Sequence, residues 1–75
     1  MFKPGTIYRN INCLDIVFKV EEVHQRLAKD RIATAFRLKG TWLNRYYGLI
    51  PIVEEVLIVE PEQLSRWAEY IPTTN

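Results

Sequence analysis

Hydrophobic and polar positions alternate along two long stretches of the chain, and the period changes once, near residue 61. After Asp15, Ile16, Phe18 and Val20 share one parity while Val17 and Lys19 take the other. That alternation predicts a strand with one apolar face. At Glu21-Glu22 the pattern slips, because Val23 has the opposite parity from Val20. One extra residue in a strand produces such a slip, so a β-bulge is expected there. "LAKDR", residues 27–31, supplies the polar break of a hairpin loop. Residues 31–39, "RIATAFRLK", then alternate most regularly. Ile32, Thr34, Phe36 and Leu38 fall on one face; Arg31, Ala33, Ala35, Arg37 and Lys39 fall on the other. This predicts a strand with an apolar face and a basic one.

Shorter signals complete the set. "PGTIY" reads as a turn followed by a short strand, and the asparagines and aspartate of "RNINCLD" favour turns. Pro51 cannot donate to a ladder, so it belongs at a sheet edge or just before a strand; "EVLIV", residues 55–59, is the last predicted strand. Beyond it, Leu64, Trp67, Ala68 and Ile71 recur at helical spacing, behind Pro61 and Glu62, which suit a helix N-terminus. An amphipathic α-helix over residues 61–71 is therefore expected, packed on the sheet through Leu64, Trp67 and Ile71 and ended by Pro72. The elements predict one mainly-β domain spanning residues 1–75. Its architecture is a small SH3-like barrel, or a strongly bent antiparallel sheet of four to five strands, with one C-terminal α-helix.

The segment "TWLNRYYG", residues 41–48, admits two readings that turn on Gly40. If Lys39-Gly40 is a two-residue hairpin turn, Trp42, Asn44 and Tyr46 join the basic face beside Arg37. If the strand runs straight through Gly40, Trp42 continues the Ile32–Leu38 face into the core. Arg45 and Tyr47 then extend the basic line, and "NRYYG" becomes the next turn. A Trp in so small a chain fills the core more often than it serves as a platform. Tyr46 and Tyr47 have opposite parity, so at most one of them needs burial.

Charge adds an asymmetry. Residues 1–47 carry nine Lys/Arg against four acids, a balance of +5; residues 48–75 carry five acids and Arg66, a balance of −4. Such polarity marks a nucleic-acid or acidic-partner face, or strands that neutralise a following segment. Cys13 is the only cysteine in 75 residues, which excludes an intrachain disulfide and fits a buried thiol in a reducing compartment. No apolar run of membrane-spanning length occurs, and a cytoplasmic location is expected.

Candidate chemistry is sparse. His24 is the lone histidine and with Cys13 makes a poor metal set, since structural zinc takes four ligands. Cys13, His24 and Asp15 can be drawn as a thiol triad, but a single cysteine is more often a small buried hydrophobe. Gly5, Gly40 and Gly48 stand too far apart for a phosphate loop. Glu54 and Glu55 point to opposite faces of a strand, which prevents them acting as an acid–base pair. Neither catalysis nor a metal or other cofactor is expected.

The order "PGTIYRNINCLD", a charged hairpin, "WLNRYYG" and "VEPEQLSRWAEY" resembles small uncharacterised proteins encoded by bacteriophages. The resemblance spans most of the chain. It implies a compact accessory or host-directed protein in the host cytoplasm and carries over no functional residues. The functional expectation from the residues themselves is a non-catalytic binding module. Its basic–aromatic surface would comprise Arg9, Arg31, Arg37, Lys39, Trp42, Arg45, Tyr46 and Tyr47. Arginines would attract phosphate while rings stack on bases, which makes nucleic acid, or a complex carrying it, the first partner class. The alternative is a protein–protein interaction module, such as a phage inhibitor of a host protein, since Trp, Tyr and Arg also dominate protein interfaces. The apolar "LIPIV" run at an unclosed sheet edge makes a homodimer the expected assembly.

Overall fold

The computed structural model describes residues 2–27 and 34–72. Five antiparallel strands occur: β1 (Ile7–Asn10), β2 (Ile16–Leu27), β3 (Thr34–Asn44), β4 (Ile50–Val59) and β5 (Trp67–Glu69). They form one sheet in the order β4-β3-β2-β1-β5. β2 and β3 make the long central ribbon, in register from Ile16↔Asn44 to Leu27↔Thr34. The expected bulge is present, as a register shift between Val20 and Glu22. Phe18, Val20 and Val23 thereby all reach one face.

That face holds the core. Tyr8, Phe18, Val20, Leu38 and Val59 are buried there, with Phe2, Val23, Phe36, Trp42, Leu57, Leu64 and Trp67 packed against them. The sheet curls over this cluster. Trp67 of β5 comes within 6.4 Å of Trp42 on β3 although β2 and β1 lie between them in the sheet, and Trp42 meets Phe18 edge-on at 4.7 Å. Gly40 permits the curl. A Cβ there would overlap the Lys19 carbonyl oxygen of β2 and stand 2.8 Å from Phe18 Cε1. β3 therefore runs straight through Gly40, as the second of the two readings expected, and Trp42 goes to the core face.

Two expectations fail. The sheet does not close: β4 and β5 are its two edges, so it is a strongly bent open sheet and not an SH3-like barrel. The C-terminal α-helix is also absent. Residues Pro61–Arg66 form a 3-10 helix, with a capping box between Glu60 and Gln63, and the chain then extends into β5. Strand pairing decides this outcome. β5 hydrogen-bonds along β1 with Tyr8 opposite Glu69 and Asn10 opposite Trp67, satisfying an edge that a helix would leave bare. Leu64 and Trp67 still reach the core, but Ile71 is 82% exposed. The hairpin loop expected at residues 27–31 lies largely outside the described residues, as does Arg31.

Candidate functional site

The β3–β4 connection is built from local chemistry. Asn44 caps the 3-10 turn Arg45–Tyr47, its side-chain oxygen accepting the Tyr46 N–H at 2.9 Å. Gly48 ends the turn in the left-handed region at φ 70°, and Leu49 follows at φ 62°. A leucine in that region carries about 1–2 kcal/mol of backbone strain. The neighbouring loop, residues 11–15, is organised by Asn10, whose Oδ1 accepts the N–H groups of Asn12 and Cys13.

Because Ile16 pairs with Asn44, the two loops emerge side by side at one end of the sheet. Side chains tie them together. Tyr46 donates its hydroxyl to Asp15 Oδ2 at 3.0 Å, and Arg45 Nη1 donates to the Leu14 carbonyl at 3.4 Å. The carboxylate beside it, first through the hydrogen bond and then through its charge, pushes the Tyr46 phenol above the ordinary tyrosine value. Tyr46 and Tyr47 are 76% and 69% exposed, and Ile11, Leu14, Ile16, Ile50 and Ile52, in the two loops and the strand ends beside them, are exposed as well. Among the described residues, most of the large hydrophobics that face solvent gather at this end.

The other candidate residues are dispersed. Arg9 lies over the Tyr70 ring, 5.2 Å from its centroid, at the β1–β5 side. Arg37 stands near the opposite end of β3 from Arg45, between His24 and Ile58 in its cross-strand row. Lys39 is held between Glu22 at 3.6 Å and Glu54 at 3.9 Å. Trp42 is half-buried on the core face and donates its indole N–H to Glu55 Oε2 at 2.7 Å. Arg31 lies outside the described residues. The structure thus brings Arg45, Tyr46 and Tyr47 together and leaves Arg9, Arg37 and Lys39 apart.

Two features escape sequence reasoning. The first is the gathering of exposed Ile11, Leu14 and Ile50 at the same end of the sheet as the tyrosines, which depends on two loops becoming neighbours. The second is an open cavity of about 320 Å³ on the concave face, lined by Phe2, Lys3, Tyr8, Leu64, Trp67 and Glu69. Cys13, expected to be a buried thiol, is exposed. It lies in the 11–15 loop, and His24 is at the eleventh residue beyond it, well along β2. No group of three or more His, Cys, Asp or Glu placed to hold a metal ion occurs among the described residues, and no described helix is long and apolar enough to cross a membrane. No known protein family, curated protein or solved structure matches the chain.

Proposed function

We propose that the chain is a non-catalytic protein-binding module whose interface is the loop end of the sheet, centred on Arg45, Tyr46 and Tyr47. The observation that carries this reading is the exposure of both tyrosines on a turn that is capped, strained at Leu49 and cross-tied to the neighbouring loop. Tyrosine offers a large contact area at the entropic cost of two torsions, and Tyr and Arg are enriched among interface hot spots. A held loop also loses less freedom on binding than a loose one. The isoleucines and leucine at the same end supply the apolar surface on which a partner's hydrophobic side chains would rest.

The nucleic-acid reading has less support. Phosphate tracking needs a continuous row of cations, and here Arg9 lies on a tyrosine ring, Lys39 sits between two glutamates, and Arg37 and Arg45 are at opposite ends of β3. A small host-directed phage protein that occupies a host partner would use a surface of the kind proposed.

The test is affinity capture from host extract with wild type, Tyr47→Ser and Arg45→Ala in parallel, alongside a low-salt titration with DNA and RNA. The expected result is one protein retained by wild type and weakened at least about 30-fold by each substitution, with unchanged circular dichroism. Binding to DNA or RNA with a salt slope that drops by about one unit in Arg37→Ala and Arg45→Ala would instead restore the nucleic-acid reading. Equal capture by all three proteins would remove the proposed interface.

A further inference from the structure

At the sheet edge, away from the loop-end patch, β4 carries a second and independent surface. β4 is ten residues long, pairs only with β3 among the described residues, and leaves its other side open. Val53, Val56 and Ile58 on it, beyond the residues of the loop end, are exposed. Natural proteins guard such edges with prolines, bulges or charges. Here the proline and the bulge both lie at the start of the strand: Pro51 lacks an N–H, and the ladder to β3 shifts register between Val53 and Pro51. Residues 53–59 are left as an uninterrupted ladder edge. The midpoint of that stretch is Val56.

We propose that two copies of this chain pair β4 against β4, antiparallel, about a two-fold axis at Val56, to form one continuous sheet. Two-fold antiparallel pairing requires some residue to face itself, and charge selects which. Centring on Glu54 or Glu55 sets identical carboxylates face to face, and centring on Leu57 sets Glu54 against Glu60. Centring on Val53 brings the partner onto Pro51 and the bulge. Centring on Val56 opposes Val53 to the partner's Val59, Glu54 to the partner's Ile58 and Glu55 to the partner's Leu57. No carboxylates are directly opposed.

The same register supplies a charge match. Arg37 lies beside Ile58 in the β3–β4 ladder, so it falls in line with the partner's Glu54, two strand spacings away, about 10 Å. Extended arginine and glutamate side chains span that distance over Ile58.

The register is tested directly by cysteine cross-linking in a Cys13→Ser background, which removes the exposed native thiol. Residues that face themselves in an antiparallel pair sit about 4.5–5.5 Å apart at Cα, within disulfide range. Val56→Cys is expected to form a covalent dimer under mild oxidation. Glu54→Cys and Ile58→Cys should each form no covalent dimer alone and cross-link when mixed. In parallel, Val56→Glu places a carboxylate opposite Lys39 within one chain but against its own copy across the axis. It should keep the circular dichroism of wild type and weaken dimerisation at least about 30-fold by sedimentation equilibrium. A monomer mass for wild type at high micromolar concentration would overturn the proposal. So would a cross-link pattern centred elsewhere, including one that appears only with another protein's strand.

Discussion

Gly40→Ala is the sharpest test of how the sheet is bent. In an ordinary strand this change is favourable by about 0.5–1 kcal/mol, because alanine loses less backbone entropy on folding. At residue 40 the added methyl would overlap the Lys19 carbonyl oxygen and press on Phe18, which is fully buried. The oxygen belongs to the backbone of β2, in the ladder position beside Val20↔Gly40, so no rotamer change can relieve the overlap. Overpacking in a well-filled site costs about 1–3 kcal/mol, and a backbone obstacle belongs at the upper end. Subtracting the entropic gain leaves a net loss of about 2–2.5 kcal/mol. A 75-residue domain has about 4–11 kcal/mol in all, so the change removes a large share. With a urea slope near 1 kcal/mol/M for so small a chain, the unfolding midpoint should fall by about 2–2.5 M. Gly5→Ala is the control: φ there is 83° and nothing lies within 4 Å, so only about 1–2 kcal/mol of left-handed strain is added. A Gly40→Ala protein as stable as wild type, or more stable than Gly5→Ala, would show that β2 and β3 do not approach so closely.

Two further outcomes follow from the packing and the loop. Trp67→Ala should cost about 2–3 kcal/mol in urea unfolding, below the usual range for a fully buried tryptophan because the ring is half-buried against Trp42; a loss under about 1 kcal/mol would mean β5 is not docked. Since Asp15 raises the Tyr46 pKa, the protonated phenol is the form the fold favours. Its stabilising contribution is present below the ordinary tyrosine value and is lost as pH rises through the raised one. Phenolate absorbance of wild type minus Tyr46→Phe should show Tyr46 titrating above that value, and Asp15→Asn should bring it down; titration at or below the ordinary value would show that the hydrogen bond does not form.

The strands were legible because their periodicity reflects burial. Parity alone assigns Phe18, Val20 and Leu38 to the core face they occupy, and the slip at Glu21-Glu22 marks the bulge. The C-terminal helix fails to form for an equally physical reason. Leu64 and Trp67 are three apart whether the chain is an α-helix or a 3-10 turn entering a strand, so spacing could not separate the two. What settles it is a long-range contact, the open side of β1, which local pattern does not encode. The barrel failed to close for a similar reason: closure depends on whether β5 reaches β4, and a three-residue strand paired to β1 does not.

The candidate site was legible residue by residue but not as an arrangement. Sequence order suggested that Arg37, Lys39 and Arg45 line one basic face. Two departures undo that line. Lys39 finds a carboxylate on each neighbouring strand, and Arg45 leaves the strand altogether in the 3-10 turn capped by Asn44. The acidic segment 48–75 thus neutralises part of the basic segment 1–47 through a β3–β4 pair, which explains why a strong charge asymmetry in sequence yields no basic stripe among the described residues. Most of the exposed apolar and aromatic side chains among the described residues divide between the loop end and the outer side of β4. The division gives each surface its own consequence. Pro51 and the register shift separate the tyrosine-bearing loop from residues 53–59, so pairing along β4 leaves Arg45, Tyr46 and Tyr47 uncovered. A β4-paired dimer would carry two copies of the loop-end patch, and a partner able to engage both would be held by avidity, with affinity raised by the second contact being intramolecular. Val56→Glu would then weaken partner capture without altering any residue of the patch, whereas Tyr47→Ser would abolish capture and leave the dimer intact.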